Sequence, residues 1–396
     1  MPSLPQPSPP ALEHSQAVCA AISHEIAGCG GWISFARFME IALHAPGLGY
    51  YSSGLDKFGA GGDFVTAPEM SALFGQSIAA QAAQVLRLTG GDILEVGAGS
   101  GKLALDLMLE LARRDALPPR YCILELSADL RQRQQARIGC EAPHLLPRFS
   151  WLDTLPQHFS GLVLGNEVLD AMPAHLVTWR AGRVFERGVA MQDGRFLWRE
   201  RPLSGGELLR QAQALPPAGF VSGDIAYTSE INLAAQGFMR SLGRMLEQGM
   251  ILMLDYGFGA SEYYHPQRGA GTLMCHYRHQ AHDDPFFLPG LQDLTAHVDF
   301  SAVAQAATGA GLTLSGYASQ ANFLINCGLT ELLARTSPED PAAYLPLVAQ
   351  VQKLMSPAEM GELFKAIALS RNMQETPLGF SRGDRSHTLP LPITQI

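Results

Sequence analysis

The chain has 396 residues, 47% of them hydrophobic and 16% charged, with a formal net charge of −9. That length exceeds one simple core, and the composition supports a substantial apolar interior rather than a disordered chain. The acidic balance argues against general nucleic-acid binding, which needs clustered Lys and Arg against phosphate, and leaves cationic substrates open. No apolar run reaches the ~18–20 residues that would insert across a bilayer.

Residues 1–12 hold five prolines and no basic residue, so a disordered tail is expected there and neither a secretory signal nor a transit peptide. A bacterial cytoplasmic setting follows as the expectation. The six cysteines include no C-x-x-C pair, which points to reduced structural thiols. Residues 13–88 read as a helical N-terminal region, with Ala20, Ile22, Ile26, Phe35, Phe38, Met39 and Ala42 at helical spacing. Gly47-Leu-Gly interrupts it, and Gly59-Ala-Gly-Gly-Asp63 is a glycine loop before a helix from about Ser71 to Leu86.

The core is expected over 89–330. Asp92–Val96 reads as a buried strand that runs into the turn Gly97–Gly101. A helix follows, with Leu103, Ala104, Leu107, Met108 and Leu111 on one face. Tyr121–Leu124 is a second apolar strand, ending on Glu125. Later strands end on Asp153, on Asn166-Glu167 and on Asp255-Tyr256. The series predicts an α/β fold: a doubly wound, mostly parallel sheet delivering its ligand residues at the strands' carboxyl ends.

Within the core, 175–226 reads as inserted antiparallel hairpins. His175–Trp179, Val184–Val189 and Phe196–Trp198 are split by Ala181-Gly182 and Asp193-Gly194. This insert could serve as a docking or homodimer surface, or pack Trp179 and Trp198 into its own core. Ser229–Leu246 and His297–Gly311 read as helices and Leu312–Ser319 as a late strand. A helical extension is expected over 331–375 and a loose tail over 376–396. His276, His279 and His282 fan across too wide an arc for one metal site, since each helical residue advances ~100°. A polar loop along the acceptor cleft is the expectation there, with no metal.

The spacing of the glycines discriminates among ligands. A dinucleotide fingerprint would need glycine where Lys102 stands. A phosphate loop would need glycine at Val96 and a hydroxyl at Leu103. What remains, Glu95-x-Gly97-x-Gly99-x-Gly101, resembles the first motif of class I S-adenosylmethionine methyltransferases. On that reading Glu95, Gly97, Ala98, Gly99 and Gly101 let backbone approach the cofactor's amino-acid tail and ribose. Glu125 accepts the ribose hydroxyls, Leu126 lies beside it, and Asp153 faces the adenine amino group. Asn166, Glu167 and Asp170 fall where the acceptor is placed. Glu167 and Asp170 form a carboxylate pair able to hold a guanidinium.

Longer motifs resemble the MidA family: Ser34–Tyr51, Gly62–Glu69, Gly165–Pro173, Leu254–Gly257 and Asp293–Phe300. That family includes a mitochondrial arginine methyltransferase that assists complex I assembly. The resemblance implies a class I methyltransferase core with a helical N-terminal region closing over S-adenosylmethionine, which leaves as S-adenosylhomocysteine. It implies a protein substrate, with an arginine on a respiratory-complex subunit as acceptor. By motif position Gly62, Asp63, Thr66 and Pro68 border the cofactor, and Glu69, Tyr256 and His297 the acceptor. The double-glutamate hairpin of the familiar arginine methyltransferases has no clear equivalent; Asn166-Glu167 with Asp170 stands in its place. A cofactor-binding assembly factor without catalysis and a small-molecule methyltransferase share the same core.

Overall fold

The computed structural model describes residues 4–53, 66–215 and 226–389. The chain forms two compact units, each discontinuous in sequence. One gathers Met1–Phe64, Leu169–Gly237 and Ala260–Asp299; the other gathers Val65–Val168, Phe238–Gly259 and Phe300–Ile396.

The second unit holds the doubly wound sheet. Its strands are β1 (Asp92–Val96), β2 (Tyr121–Leu124), β3 (Phe149–Leu152), β4 (Phe159–Asn166), β5 (Leu246–Phe258), β6 (Thr313–Ser319) and β7 (Phe364–Arg371). Their order is β3-β2-β1-β4-β5-β7-β6. The pairs from β3 through β5 are parallel, and β7 runs antiparallel to both of its neighbours. The order reverses between β1 and β4, which is where an open α/β sheet forms its ligand crevice.

Helices α1 (Ala72–Thr89), α2 (Lys102–Arg113) and α3 (Ala128–Glu141) cover this sheet. Ser71 caps α1 by accepting from Leu73 N. Phe74, Ile78 and Val85 of α1 join Leu103, Leu107 and Leu111 of α2 in one core with Ile93, Leu162 and Leu252. The helix expected to close the N-terminal region is therefore part of the sheet's packing.

Two expectations for the C-terminal part are corrected. The extension expected as helical over 331–375 contains β7, which is buried from Lys365 to Ser370. A strand buried on both faces is a continuous apolar run, and periodicity cannot separate that from a helix. The tail expected to be loose is packed through Leu389: Phe380 packs at a tilt on Phe323, 5.4 Å between centroids, and both are buried. Residues 390–396 lie outside the described residues.

In the first unit the helix Pro9–Gly28 begins inside the stretch expected as a tail. Ser8 caps it and Pro9-Pro10 fill the first turn, where missing N–H groups cost nothing. Five short strands form an antiparallel sheet: Ile33–Ser34, His175–Arg180, Arg183–Gln192, Arg195–Pro202 and Tyr227–Ile231. Both hairpin turns have positive φ at Ala181-Gly182 and Asp193-Gly194, the pairing that tight two-residue loops require. Trp179 packs on Tyr227, as expected for an insert with its own core. Trp198 instead packs on Phe35 and Phe286. Tyr227–Ile231 corrects the helix expected from Ser229. That helix starts at Leu233, with Asn232 accepting from Ala235 N. Glu230 thus sits in a strand, 2% exposed, accepting from Thr272 N and Leu273 N.

The three histidines lie on a hairpin rather than a loop. Met274–Tyr277 pairs with Gln280–His282 across Arg278-His279. Among the described residues, no group of three or more His, Cys, Asp or Glu side chains is arranged to hold a metal ion.

One ion-pair network ties α2 to the C-terminal part of its unit. Glu110 is fully buried and takes two bonds from Arg335, at 2.7 and 2.8 Å, and one from Arg114 at 2.9 Å. Burial pushes its carboxyl up, but Arg335 and Arg114 together outweigh that and hold it below its ordinary value of 4.5. Replacing it with Gln strips one partner from a buried ion pair. Glu110→Gln should lower the unfolding free energy at neutral pH by about 3 kcal/mol in urea titrations. Because the folded-state pKa is depressed, the wild-type advantage should fade as pH falls below 4.5.

Candidate active site

The turn after β1 is built from left-handed backbone. Gly97, Gly99 and Gly101 have φ of 65°, 53° and 79°, a region that L side chains enter at a cost. Space is short as well. A Cβ on Gly101 would lie 3.2 Å from Gln134 Cγ, and one on Gly97 3.3 Å from Val168 Cγ2. Gly101 then starts α2, whose first amides face the turn. Lys102, the residue that breaks the dinucleotide fingerprint, is paired with Asp106 of the next helical turn at 2.6 Å.

Glu125 follows β2 and is 7% exposed. Its Oε1 accepts from Ser127 N at 2.9 Å and its Oε2 from Gln134 Nε2 at 3.1 Å. Burial raises its pKa, and those two donors oppose the rise. Leu126 beside it is 81% exposed, an apolar surface next to a polar one. Gln134 was not legible as a site residue, because a lone polar residue on a helix normally faces water. Here it is fully buried and also donates to Gly99 O at 2.9 Å.

Glu95 lies within β1 and is 2% exposed, so its carboxyl is beneath the turn rather than in an open cleft. Burial raises its pKa to about 8, only partly offset by the hydrogen bond from Tyr121 Oη at 2.8 Å. It is therefore mostly protonated at neutral pH.

The other strand ends arrive on the same edge. Asp153 after β3 is 81% exposed, and its Oδ1 accepts from Arg131 at 2.6 Å. Arg131 also binds the carbonyls of Glu125 and Leu152, so it ties the ends of β2 and β3 together. The oxygen expected to meet adenine is thus already in an ion pair. Asn166 closes β4. Its Nδ2 donates to Glu167 Oε1 at 3.1 Å, and its buried Oδ1 has no hydrogen-bond partner among the described residues. Glu167 has φ of 51°, a strained conformation for a residue with a side chain, and such strain clusters at functional sites. Asp255 of β5 is fully buried and accepts from Val168 N at 3.1 Å and Tyr256 N at 2.9 Å. It fixes the chain leaving β4; the sequence showed it only as a strand-end acid. Tyr256 stacks at a tilt on Phe364, 5.3 Å between centroids.

Thr66 and Pro68 begin the short helix Ala67–Met70. Glu69 in that helix accepts from Ser100 of the glycine turn and pairs with Arg137 of α3 at 3.5 Å. Arg137 donates to the same Ser100 hydroxyl at 2.8 Å. Glu69, expected at the acceptor, is thus engaged with the turn. Gly62 and Asp63 lie outside the described residues.

Asp170 and His297 belong to the first unit. Asp170 is 5% exposed, and its carbonyl accepts from Ala296 N. His297 N donates to Thr272. In the same unit Tyr51 donates to Asp293 at 2.9 Å. Burial, then Asp293 and Asp170, hold its hydroxyl well above the usual tyrosine range.

Glu95 gives a pH signature. Its folded pKa is raised, so its stabilising contribution is full below 4.5 and is lost as pH rises towards about 8. Thermal unfolding of Glu95→Gln and wild type across that range should show wild type losing ground to the variant with rising pH. A constant difference would refute the assignment of a neutral Glu95.

The family model described as "Putative S-adenosyl-L-methionine-dependent methyltransferase" matches residues 77–318. A solved Burkholderia thailandensis structure, bound to S-adenosyl-homocysteine, is 50% identical with a TM-score of 0.93, covering 98% of this chain and all of that one. The Drosophila melanogaster "Protein arginine methyltransferase NDUFAF7 homolog, mitochondrial" is 29% identical over 376 residues, 86% of this chain and 82% of its own length. The human protein arginine methyltransferase NDUFAF7 is 26% identical over 382 residues, 86% and 80% respectively. The family match spans the glycine turn, Glu125, Asn166 and Asp255, and the sheet is the class I sheet: this chain belongs to the S-adenosyl-L-methionine-dependent methyltransferases.

Proposed function

We propose that the chain methylates an arginine side chain of a protein, using S-adenosylmethionine held at the carboxyl ends of β1, β2 and β4. The observation that carries the reading is the end of β4. A buried Asn166 oxygen lacks a partner among the described residues, and a strained Glu167 adjoins it. Both follow a strand whose neighbour ends in the glycine turn. The residues fit the cofactor. The turn admits close backbone approach, Glu125 can accept hydroxyls, and Leu126 offers an apolar face for a purine. The Burkholderia relative, with S-adenosyl-homocysteine bound, supports the same assignment.

When bound, the cofactor supplies a methyl group made electrophilic by its sulfonium. The chain's own residues do the positioning. Glu125 accepts the ribose hydroxyls, and Gly97–Gly101 receive the amino-acid tail. Asn166 Oδ1 accepts from a donor that enters the site. Glu167 accepts from the guanidinium and aims one nitrogen. Most of the gain comes from orientation rather than covalent help. Arginine is favoured by the names of the relatives matched over most of their length, together with a carboxylate at the acceptor position.

The test is transfer of labelled methyl into lysate of a strain lacking this gene, followed by acid hydrolysis of labelled protein. Label on methylarginine is the expected result. Label only in small molecules would overturn the protein acceptor. No label from a chain that binds the cofactor would favour the non-catalytic assembly factor. Glu125→Ala should weaken S-adenosylhomocysteine binding on the order of 100-fold, from two charge-assisted hydrogen bonds of roughly 1.5 kcal/mol each. Glu167→Gln should bind within about twofold of wild type yet lose on the order of 100-fold in kcat. A parallel fall in binding would remove Glu167 from the acceptor role.

A further inference from the structure

Helix α3 buries one stripe, Leu130, Gln134 and Ile138. Its middle position would ordinarily be apolar. Burying an amide is unfavourable unless its hydrogen bonds are made, and Gln134 makes them with unlike partners. Nε2 donates to Gly99 O and to Glu125 Oε2, at 2.9 and 3.1 Å. Oε1 accepts from Trp151 Nε1 at 2.8 Å. An indole nitrogen only donates, so Trp151 dictates which end of the amide faces it. The nitrogen is thereby turned towards the glycine turn and the carboxylate together. No apolar residue and no reversed amide could serve both. The absence of a side chain on Gly101, whose Cβ would lie 3.2 Å from Gln134 Cγ, leaves room for α3 to come this close.

We infer that Gln134, fixed by Trp151, is a positioning residue that joins the glycine turn to Glu125, so that the two parts of the cofactor site are set by one side chain. This rests on the assignment of Glu125 to the ribose. It goes further in naming what aims that carboxylate and what keeps it charged. Removal of the amide donor leaves a buried acid with one fewer hydrogen bond to its charged form, which makes ionisation harder.

The experiment is calorimetric titration of the full chain with S-adenosylhomocysteine between about pH 6 and pH 8. Wild type, Gln134→Leu, Trp151→Phe, Glu125→Ala and the Gln134→Leu/Glu125→Ala double variant are compared. Gln134→Leu should bind about tenfold more weakly at about pH 8, and the deficit should grow towards pH 6, because one charge-assisted bond is lost and the carboxyl is harder to ionise. Trp151→Phe leaves the donor in place but frees the amide to turn over. It should show a smaller deficit of the same pH dependence, which keeps the inference testable should Gln134→Leu fail to fold. In the Glu125→Ala background the Gln134→Leu deficit should largely vanish, since residues acting through one another are not additive. Deficits that multiply in the double variant, or pH profiles parallel to wild type, would make Gln134 a packing residue and overturn the inference. A wild-type chain that binds no S-adenosylhomocysteine would overturn the Glu125 assignment and this inference with it. Wild-type binding with Glu125→Ala unaffected would remove the ribose role and the inference that rests on it, while leaving the cofactor assignment in place.

Discussion

The parallel pairing of β1 with β4 is the constraint on which the site depends. Val96 lies opposite Gly165, so the glycine turn and Asn166 leave the sheet at one level. Parallel strands cannot be joined by tight turns, and each is followed by a crossover. Every strand from β1 to β5 therefore ends on the same edge, where the residues that follow are released from the ladder and can meet a ligand. Glu125 and Asp153 occupy such positions, while Asn166 is the last residue of β4 and Asp255 lies near the end of β5, both still paired. The edge is then tied across: Arg131 links the ends of β2 and β3, and Asp255 links those of β4 and β5. Backbone-directed bonds of this kind fix the exits without using side chains that face the ligand.

Two buried carboxyls share this edge and are handled differently. Glu95 points into the interior and has one phenolic donor, so its proton stays on near neutrality. Glu125 has a backbone amide and a side-chain amide aimed at it, which oppose the effect of burial. The contrast keeps the proton on the acid inside the sheet and gives the acid at its rim two donors to its charged form. Environment separates the roles of two chemically similar groups, as it does wherever paired acids serve one site.

The parts of this architecture that were legible in the sequence are the local ones. A strand, a glycine turn and a strand-end acid can each be recognised within a few residues, because backbone strain and burial leave marks on composition. β7 left no such mark: Phe364–Arg371 is sheltered on both faces, and a helix of that length could be equally apolar. Gln134 hid for the opposite reason, since its polarity suggested solvent while its partners lie far off in sequence. Asp153 was found at the expected strand end, but its ion pair with Arg131 was not foreseeable, because it depends on how α3 is seated against two strands. Glu69 likewise lies near the glycine turn only through tertiary packing.

The position of β7 also has a meaning for biosynthesis. The sheet's penultimate place is filled by residues 364–371, among the last of the described chain, and β5 has β7 as its neighbour along the whole stretch from Gly249 to Tyr256. A nascent chain that has released everything through β6 still presents β5 with an open hydrogen-bonding edge over Gly249–Tyr256, since among the described residues β6 pairs with β7 and not with β5. Such an edge is apolar and prone to pair with other chains. The sheet can close only once β7 is available, so the methyltransferase core cannot be completed strand by strand in chain order up to β6. A chain stopped short of β7 would carry every recognisable cofactor motif and still lack the strand that seals its centre.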